Sequence, residues 1–136
     1  MVLRFFSTLL SLLCLNLIPG IGAVAEPNSA RISELRFHST VLGRDKVVSV
    51  VTPEKREDAP VLFFLYGRGR HHSSLLERPD SRRTLQMANH WTILPDGEDS
   101  WYINSPEIPA DRYSDYLGEV IAFATKKLGL TENPAR

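Results

Sequence analysis

Val61–Arg70, which reads VLFFLYGRGR, is the stretch that decides the fold. Val61–Leu65 is apolar without polar alternation, which is typical of a strand covered on both faces in a parallel sheet. The glycine-rich remainder fits a loop at the end of that strand. A second apolar run, Trp91–Leu94, leads in the same way into Pro95–Gly97 and then into Trp101-Tyr102. The sequence therefore predicts two buried strands, each ending in a functional loop.

The segment between these two strands predicts a helix. Ser81–Asn89 supports a short helix in which Leu85 and Ala88 face the sheet. Asp80 precedes it and is a residue type that caps helix N-termini. A strand, a helix and a second strand in this order predict a right-handed βαβ crossover.

A hairpin is predicted before the crossover. Ile32, Leu35 and Phe37 stand among polar residues, and Lys46–Thr52 is rich in valine. Gly43–Asp45 lies between the two segments as a turn. This arrangement predicts two antiparallel strands.

A longer helix is predicted after the crossover, from Asp111 as its cap to Gly129 at its end. The apolar residues follow a spacing of three and four, which is typical of one buried helix face. They are Tyr113, Tyr116, Leu117, Val120, Ile121, Ala124 and Leu128. Acidic residues fall early and lysines late, in agreement with the helix dipole.

Residues 1–25 have the pattern of a cleaved signal peptide. Arg4 precedes an apolar run, Phe5–Ile18, which is followed by Pro19-Gly20 and then by the small residues of Ala23–Ala25. The apolar run is short for a membrane anchor, which needs about 20 residues. We expect cleavage before Glu26, a secreted or periplasmic location, and a mature domain over residues 26–136. The single cysteine lies within the signal segment at Cys14, so no disulfide is expected.

Charge and histidine content argue against two classes of partner. The chain has 16 Lys+Arg against 16 Asp+Glu. A cluster of five arginines between residues 68 and 83 is interrupted by Glu77 and Asp80. The cluster is interpreted as a solvated loop face, so nucleic acid is not expected as a partner. His71 and His72 are adjacent, and adjacent side chains on an extended chain point opposite ways. They are interpreted as solvated loop residues, with no metal site and no cofactor. The arginines of the basic cluster are Arg68, Arg70, Arg78, Arg82 and Arg83.

These segments together resemble the esterase family of α/β-hydrolases that includes esterase D (S-formylglutathione hydrolase), feruloyl esterases and the antigen 85 mycolyltransferases. The resemblance rests on Leu65–Gly69, on Leu94–Gly97 with Trp101-Tyr102 following, and on the helix carrying Asp115–Leu117 and Glu119–Ile121. It covers roughly Ile32 to Arg136. It implies an α/β fold of which this chain is the N-terminal part, truncated before the nucleophile strand.

The resemblance also implies roles for individual residues. Gly67, Arg68 and Gly69 would form the oxyanion loop, with the Arg68 backbone N–H as donor. Tyr66 stands where the family commonly has histidine. The substrate-pocket candidates are Tyr66, Asp96, Gly97, Trp101 and Tyr102.

The catalytic residues themselves are not expected in this chain. Asn133–Arg136 is similar to the lead-in to the nucleophile strand, and the family's acid and histidine follow the serine. Ser73, Ser74 and Ser100 lack the nucleophile-elbow pattern. The resemblance therefore implies a serine esterase acting on small-molecule esters, of which this chain alone is inactive.

Two alternatives remain open. One is a non-catalytic secreted binding module that uses the Trp101-Tyr102 loop for carbohydrate or another ligand. The other is one half of a split enzyme, whose second half docks on the unpaired apolar edge expected at Val61–Leu65.

Overall fold

The computed structural model describes residues 31–130, which form four strands and two helices. The predicted signal peptide, Cys14 and the predicted lead-in segment Asn133–Arg136 lie outside this range. Within it, no helix is long and apolar enough to cross a membrane. The elements in chain order are β1 (Arg31–Ser39), β2 (Arg44–Thr52), β3 (Val61–Phe63), α1 (Pro79–Met87), β4 (Trp91–Pro95) and α2 (Tyr113–Leu128).

The first two strands form the predicted antiparallel hairpin. Its register pairs Phe37 with Lys46 and Leu35 with Val48. Gly43 in the turn has φ 63°, a left-handed conformation that glycine adopts without a steric penalty. Because side chains alternate across a strand, Val50 and Val51 of β2 belong to cores on opposite faces of the sheet.

The sheet has the strand order β1-β2-β4-β3. β2 and β4 are antiparallel, whereas β3 and β4 are parallel, with α1 between them in the chain. The two helices supply side chains to different cores. Tyr116, Val120 and Ala124 of α2 pack with Ile93, while Leu85 of α1 packs with Val51 and Leu94 on the other face. This three-layer arrangement confirms the α/β prediction.

The third strand differs from its prediction. It ends at Phe63 rather than Leu65, and the residues Val61, Leu62 and Leu65 are 38%, 42% and 44% exposed. The prediction that this strand is covered on both faces is wrong for the described residues. The physical reason is its position at the edge of the described sheet, with β4 on one side only.

The ends of the two helices also differ in part from their predicted positions. α1 begins at Pro79, a residue suited to the first helical turn, and Arg78 occupies the N-cap position predicted for Asp80. α2 begins after Arg112 rather than at Asp111, and neither helix has a side-chain hydrogen bond from its own N-cap. Gly129 ends α2 in the left-handed conformation, as predicted.

The start of α2 is capped from a distant loop instead. The Asn104 side-chain oxygen accepts hydrogen bonds from the N–H groups of Ser114 at 3.0 Å and Asp115 at 3.4 Å. These are two of the N–H groups that a helix leaves without an internal partner. On the helix surface, Ile121 is 46% exposed, although its spacing predicted a buried position.

Candidate functional site

The candidate site lies where β3 and β4 end. Their parallel pairing aligns Phe63 with Ile93, so the loops that follow both strands emerge at the same edge of the sheet, where open α/β sheets bind ligands. The two loops are in contact, because the Gly69 N–H donates a hydrogen bond of 3.1 Å to the Glu98 carbonyl. The structure thus brings together the two loops that the sequence singled out.

The glycine loop leaves the backbone N–H groups of Gly67 and Arg68 without a partner in the described range. The Arg68 N–H makes no hydrogen bond with any residue in the described range. Gly69 has φ 74°, which favours glycine, and its own N–H is used by Glu98. A Cβ added to Gly67 would have no described atom within 4 Å, so the space above this residue is open. Gly67, Arg68 and Gly69 are all exposed.

Tyr66 fastens the loop to the next segment of chain. The Leu75 N–H donates to the Tyr66 hydroxyl at 2.8 Å, and the Tyr66 ring packs edge-to-face with Phe64 at 5.3 Å between centroids. Burial raises the pKa of the Tyr66 hydroxyl above its usual value, so the group stays neutral at physiological pH. Tyr66 therefore acts as a hydrogen-bonding support for the loop.

Tyr102 lies beneath the second loop. Its ring covers Gly97 so closely that a Cβ there would lie 2.3 Å from the Tyr102 Cζ atom. The Tyr102 hydroxyl donates to the Pro95 carbonyl at 3.0 Å, and burial raises its pKa to about 12. Tyr102 itself has φ 58°, an uncommon conformation for an aromatic residue. Gly97 and Tyr102 are thus packing partners that hold the loop on the sheet.

Trp101 lies on the outside of the same loop. It is 66% exposed, and it lines a cavity of about 200 Å³ together with Asp99, Ile103 and Tyr113. Asp96 stays within the loop, where its Oδ1 atom accepts a 3.0 Å hydrogen bond from the Glu98 N–H. Of the two adjacent aromatic residues, Trp101 is available to a ligand and Tyr102 is buried.

A charged cluster beside the site was missed by the sequence reasoning. Lys46 has a side chain only 1% exposed, and its Nζ atom lies 2.6 Å from Glu98 Oε1. Arg44 Nη2 and the Tyr113 hydroxyl donate to Glu98 Oε2 at 2.7 and 2.6 Å. Burial alone would raise the pKa of Glu98, but the hydrogen bonds from Lys46 and Tyr113 and the nearby positive charges lower it below its usual value. The one sequence signal was a lysine at the start of a valine-rich strand.

Serine and histidine meet at Ser49, but not in a catalytic arrangement. Ser49 Oγ and His72 Nδ1 share a hydrogen bond of 2.8 Å, and Glu34 Oε1 lies 4.0 Å from the same nitrogen. A triad needs serine and acid on opposite ring nitrogens and an accessible hydroxyl. Ser49 is 1% exposed, so this contact serves packing.

Ser73 forms a surface network. Its hydroxyl contacts His71 Nδ1 at 3.0 Å and donates to Glu77 Oε1 at 2.7 Å. The residues His71 and His72 do not converge on one point with other ligands: no group of three or more metal-ligating side chains occurs in residues 31–130. Ser74 accepts a 3.0 Å hydrogen bond from the His71 N–H, and Ser100 donates to the Gly97 carbonyl at 2.6 Å.

Comparison with known proteins gives structural matches only. The sequence matches no protein-family model and no curated protein sequence. The structure is similar to the serine hydrolase FphF of Staphylococcus aureus, with a TM-score of 0.64 and 21% identity. It is also similar to an S-formylglutathione hydrolase from Agrobacterium tumefaciens, with a TM-score of 0.60 and 17% identity. A third match is a ferulic acid esterase from the anaerobic fungus Anaeromyces mucronatus, with a TM-score of 0.52 and 20% identity.

These matches cover most of this chain but less than half of each matched structure. They cover 76%, 73% and 72% of this chain, in the same order. The chain spans only 43%, 44% and 43% of the length of those structures. Two of these structures, the S-formylglutathione hydrolase and the ferulic acid esterase, are of kinds that the sequence resemblance named, and the third is a serine hydrolase. The four-stranded mixed sheet with a helix on each face is therefore part of an α/β-hydrolase fold.

Proposed function

We propose that this chain is part of a secreted or periplasmic serine esterase that hydrolyses carboxylic esters of small molecules. In this proposal Gly67, Arg68 and Gly69 form the oxyanion loop. The nucleophilic serine, the acid and the histidine are supplied by polypeptide other than residues 31–130, and the chain alone is inactive. A signal peptide cleaved before Glu26 directs export.

The observation that carries this proposal is the unpartnered Arg68 N–H. An acyl-transfer enzyme stabilises the oxyanion with preorganised backbone donors at the end of a strand. The Arg68 N–H has no acceptor in the described part of the chain, although the adjacent Gly69 N–H is bonded to Glu98. The Tyr66 and Tyr102 contacts hold both loops in place without occupying that donor. The donor is therefore fixed in position and available.

The structural neighbours add support. One is named a serine hydrolase, one an S-formylglutathione hydrolase and one a ferulic acid esterase. The shared reaction type is attack of a nucleophile on an acyl carbon, for which an oxyanion donor is needed. This chain spans less than half of each of those structures, which leaves room for the catalytic residues elsewhere.

The proposal is tested by reading the coding sequence beyond the codon for Arg136. We expect an in-frame strand followed by Gly-x-Ser-x-Gly, the sequence context of a nucleophile elbow. The extended protein should hydrolyse p-nitrophenyl acetate, whereas residues 1–136 should not. A stop codon followed by unrelated sequence, with no activity on mixing with a separately encoded second half, would contradict the proposal.

Trp101 favours a second candidate function, a non-catalytic module that binds carbohydrate. Its exposed ring borders a cavity that also presents Asp99, Asp111 and Ser105. An aromatic face beside hydrogen-bonding groups combines an apolar surface with polar partners. In this alternative the glycine loop serves only as a strand-to-helix connection.

Tryptophan fluorescence distinguishes this candidate. The chain contains two tryptophans, and Trp91 is only 5% exposed. A saturable change with a xylo-oligosaccharide, abolished by Trp101→Ala while Trp91 emission persists, would support binding. An unchanged spectrum at all concentrations would reject it.

A further inference from the structure

A cavity of about 350 Å³ lies beside the oxyanion loop. Its volume is within the range of small-molecule sites, which begins at about 300 Å³. One part of its wall is apolar and includes Leu65 and Leu75, and another part consists of the loop residues Gly67 and Arg68. A ligand in this cavity would therefore contact the loop and an apolar surface at once.

Three arginines line this cavity, namely Arg68, Arg70 and Arg78. No aspartate or glutamate is among the described residues that line it. None of the three side chains forms an ion pair or hydrogen bond with another residue in the range 31–130. The sequence had indicated an interrupted basic cluster, whereas the structure gathers three of its five arginines at one cavity.

The acidic residues that interrupt the cluster in sequence do not line the cavity and form no ion pair with its arginines within the described range. Glu77 accepts a 2.7 Å hydrogen bond from Ser73 and lies 3.7 Å from His71 Nε2. Asp80 lies in the first turn of α1 and does not line the cavity. Positive groups around a concave surface without a counter-charge attract anions.

The start of α1 lies next to the cavity, because Arg78 both lines the cavity and precedes the helix. Arg78 is the N-cap of this nine-residue helix, and it makes no side-chain capping hydrogen bond. A helix N-terminus carries a partial positive charge and backbone N–H groups that favour a nearby anion. Tyr66 adds no negative charge to the cavity, because its hydroxyl remains neutral.

We infer that this cavity binds an ionised carboxylate on the ester substrate, so that the enzyme prefers monoesters of dicarboxylic acids. The inference rests on the proposed esterase function. Arginine recognises a carboxylate through charge-assisted hydrogen bonds. The apolar wall at Leu65 and Leu75 accommodates the hydrocarbon chain between the carboxylate and the reacting ester. A free phosphate ion has no hydrocarbon part that could contact the apolar wall. The wall therefore favours a carboxylated ester over an inorganic anion.

The test measures equilibrium binding to the full chain of 136 residues by NMR titration. The probes are monomethyl adipate, dimethyl adipate and inorganic phosphate. We expect the monoester to bind about ten-fold more tightly than the diester at low salt, with the difference decreasing as salt screens the charges. Equal affinities of monoester and diester would overturn the inference, as would tighter binding of phosphate than of the monoester.

Variants locate the binding site. Arg70→Gln and Arg78→Gln should each weaken monoester binding about five-fold, the size of a favourable exposed ion pair. Arg82→Gln is the matched control, since Arg82 belongs to the same sequence cluster but does not line the cavity. An equal loss in Arg82→Gln and Arg78→Gln would overturn the inference.

This experiment separates the inference from the proposed function. Binding is measured on a chain that need not hydrolyse anything. Monoester binding without hydrolysis by the extended protein would contradict the esterase proposal alone. Hydrolysis of neutral esters without a preference for the monoester would contradict the carboxylate site alone.

Discussion

Gly97 is the residue whose identity the site depends on most directly. Gly97→Ala would place a methyl group 2.3 Å from Tyr102 Cζ, and the Tyr102 ring is buried and cannot move freely. Overpacking of this kind costs about 1–3 kcal/mol of unfolding free energy. Urea denaturation should show this loss.

The matched control is Gly118→Ala. Gly118 lies within α2 and has no described atom within 4 Å of an added Cβ. Alanine there should stabilise the protein by up to about 1 kcal/mol, because it restricts the unfolded chain and favours helix. Equal stability of the Gly97 variant and the wild type would disprove the close packing of Tyr102.

Glu98 should make stability depend on pH. Its pKa is lowered in the folded state, although burial opposes the shift, because Lys46, Tyr113 and Arg44 stabilise the carboxylate. Its contribution is therefore fully present above the unfolded pKa, whose usual value is 4.5, and is lost as pH falls through the folded pKa. Glu98→Gln should be less stable than wild type at pH 7, and the difference should shrink below pH 4.5.

Chemical denaturation across this pH range measures the effect. Glu54→Gln is the control, because Glu54 is exposed and forms no hydrogen bond or ion pair within the described residues. A stability difference for Glu98→Gln that stays constant from pH 7 to low pH would show that Glu98 is not ionised preferentially in the folded state.

At the scale of elements, Glu119 joins α2 to the hairpin turn. Its carboxylate accepts hydrogen bonds from the Ser39 hydroxyl at 2.5 Å, from the Thr40 hydroxyl, and from the N–H groups of Thr40 at 3.0 Å and Val41 at 3.2 Å. Glu119→Ala would remove the acceptor of these donors, at a cost of about 1 kcal/mol, because the Ser39 hydroxyl is buried whereas the exposed Thr40 groups can bind water instead. Amide hydrogen exchange should accelerate at Thr40 and Val41.

The control for this exchange experiment is Glu107→Ala in an exposed loop. Exchange in the β1–β2 turn should be unchanged in that variant. Unchanged exchange at Thr40 and Val41 in Glu119→Ala would show that the turn does not depend on α2.

The sequence predicted the elements better than their ends and surroundings. The alternating hairpin, the helical spacing of α2 and the role of Gly129 follow from local pattern, and the structure confirms them. The N-terminal cap of α2 could not be predicted, because Asn104 lies ten residues away and outside the helix. The local pattern of β3 did not predict its exposure, because exposure depends on which strands flank it in the sheet, and only the family resemblance implied an unpaired edge there.

In the candidate site, too, some features follow from the sequence pattern and others depend on residues distant in the chain. The loops after β3 and β4 could be predicted because parallel strands place their carboxyl ends together. The Lys46–Glu98 contact could not, since it joins residues 52 positions apart through a loop conformation with φ 49° at Glu98. Trp101 and Tyr102 are adjacent in sequence, and only the fold distinguishes the exposed ring from the buried one.

At the scale of the whole molecule, the edge strand β3 should promote self-association of this chain. Val61, Leu62 and Leu65 are partly exposed beside unpaired backbone groups, and apolar unpaired edges pair with other chains. Leu62→Lys should reduce the concentration-dependent association measured by sedimentation velocity, because a lysine on an edge strand opposes pairing.

Met87→Lys is the matched control for the Leu62→Lys variant of the edge strand. Met87 is 78% exposed but belongs to α1 and not to a strand of the sheet. If both lysine variants reduce association equally, exposed apolar area in general would be responsible, and the specific role of β3 would be refuted.

The most direct test of the oxyanion role compares Arg68→Pro with Arg68→Ala in the longest chain that the gene encodes. Proline removes the backbone N–H, whereas alanine removes only the side chain. With folding of both variants checked by circular dichroism, kcat/KM for p-nitrophenyl acetate should fall about 100-fold or more in Arg68→Pro relative to Arg68→Ala. Equal activity of the two variants would contradict the assignment of the Arg68 N–H as the oxyanion donor.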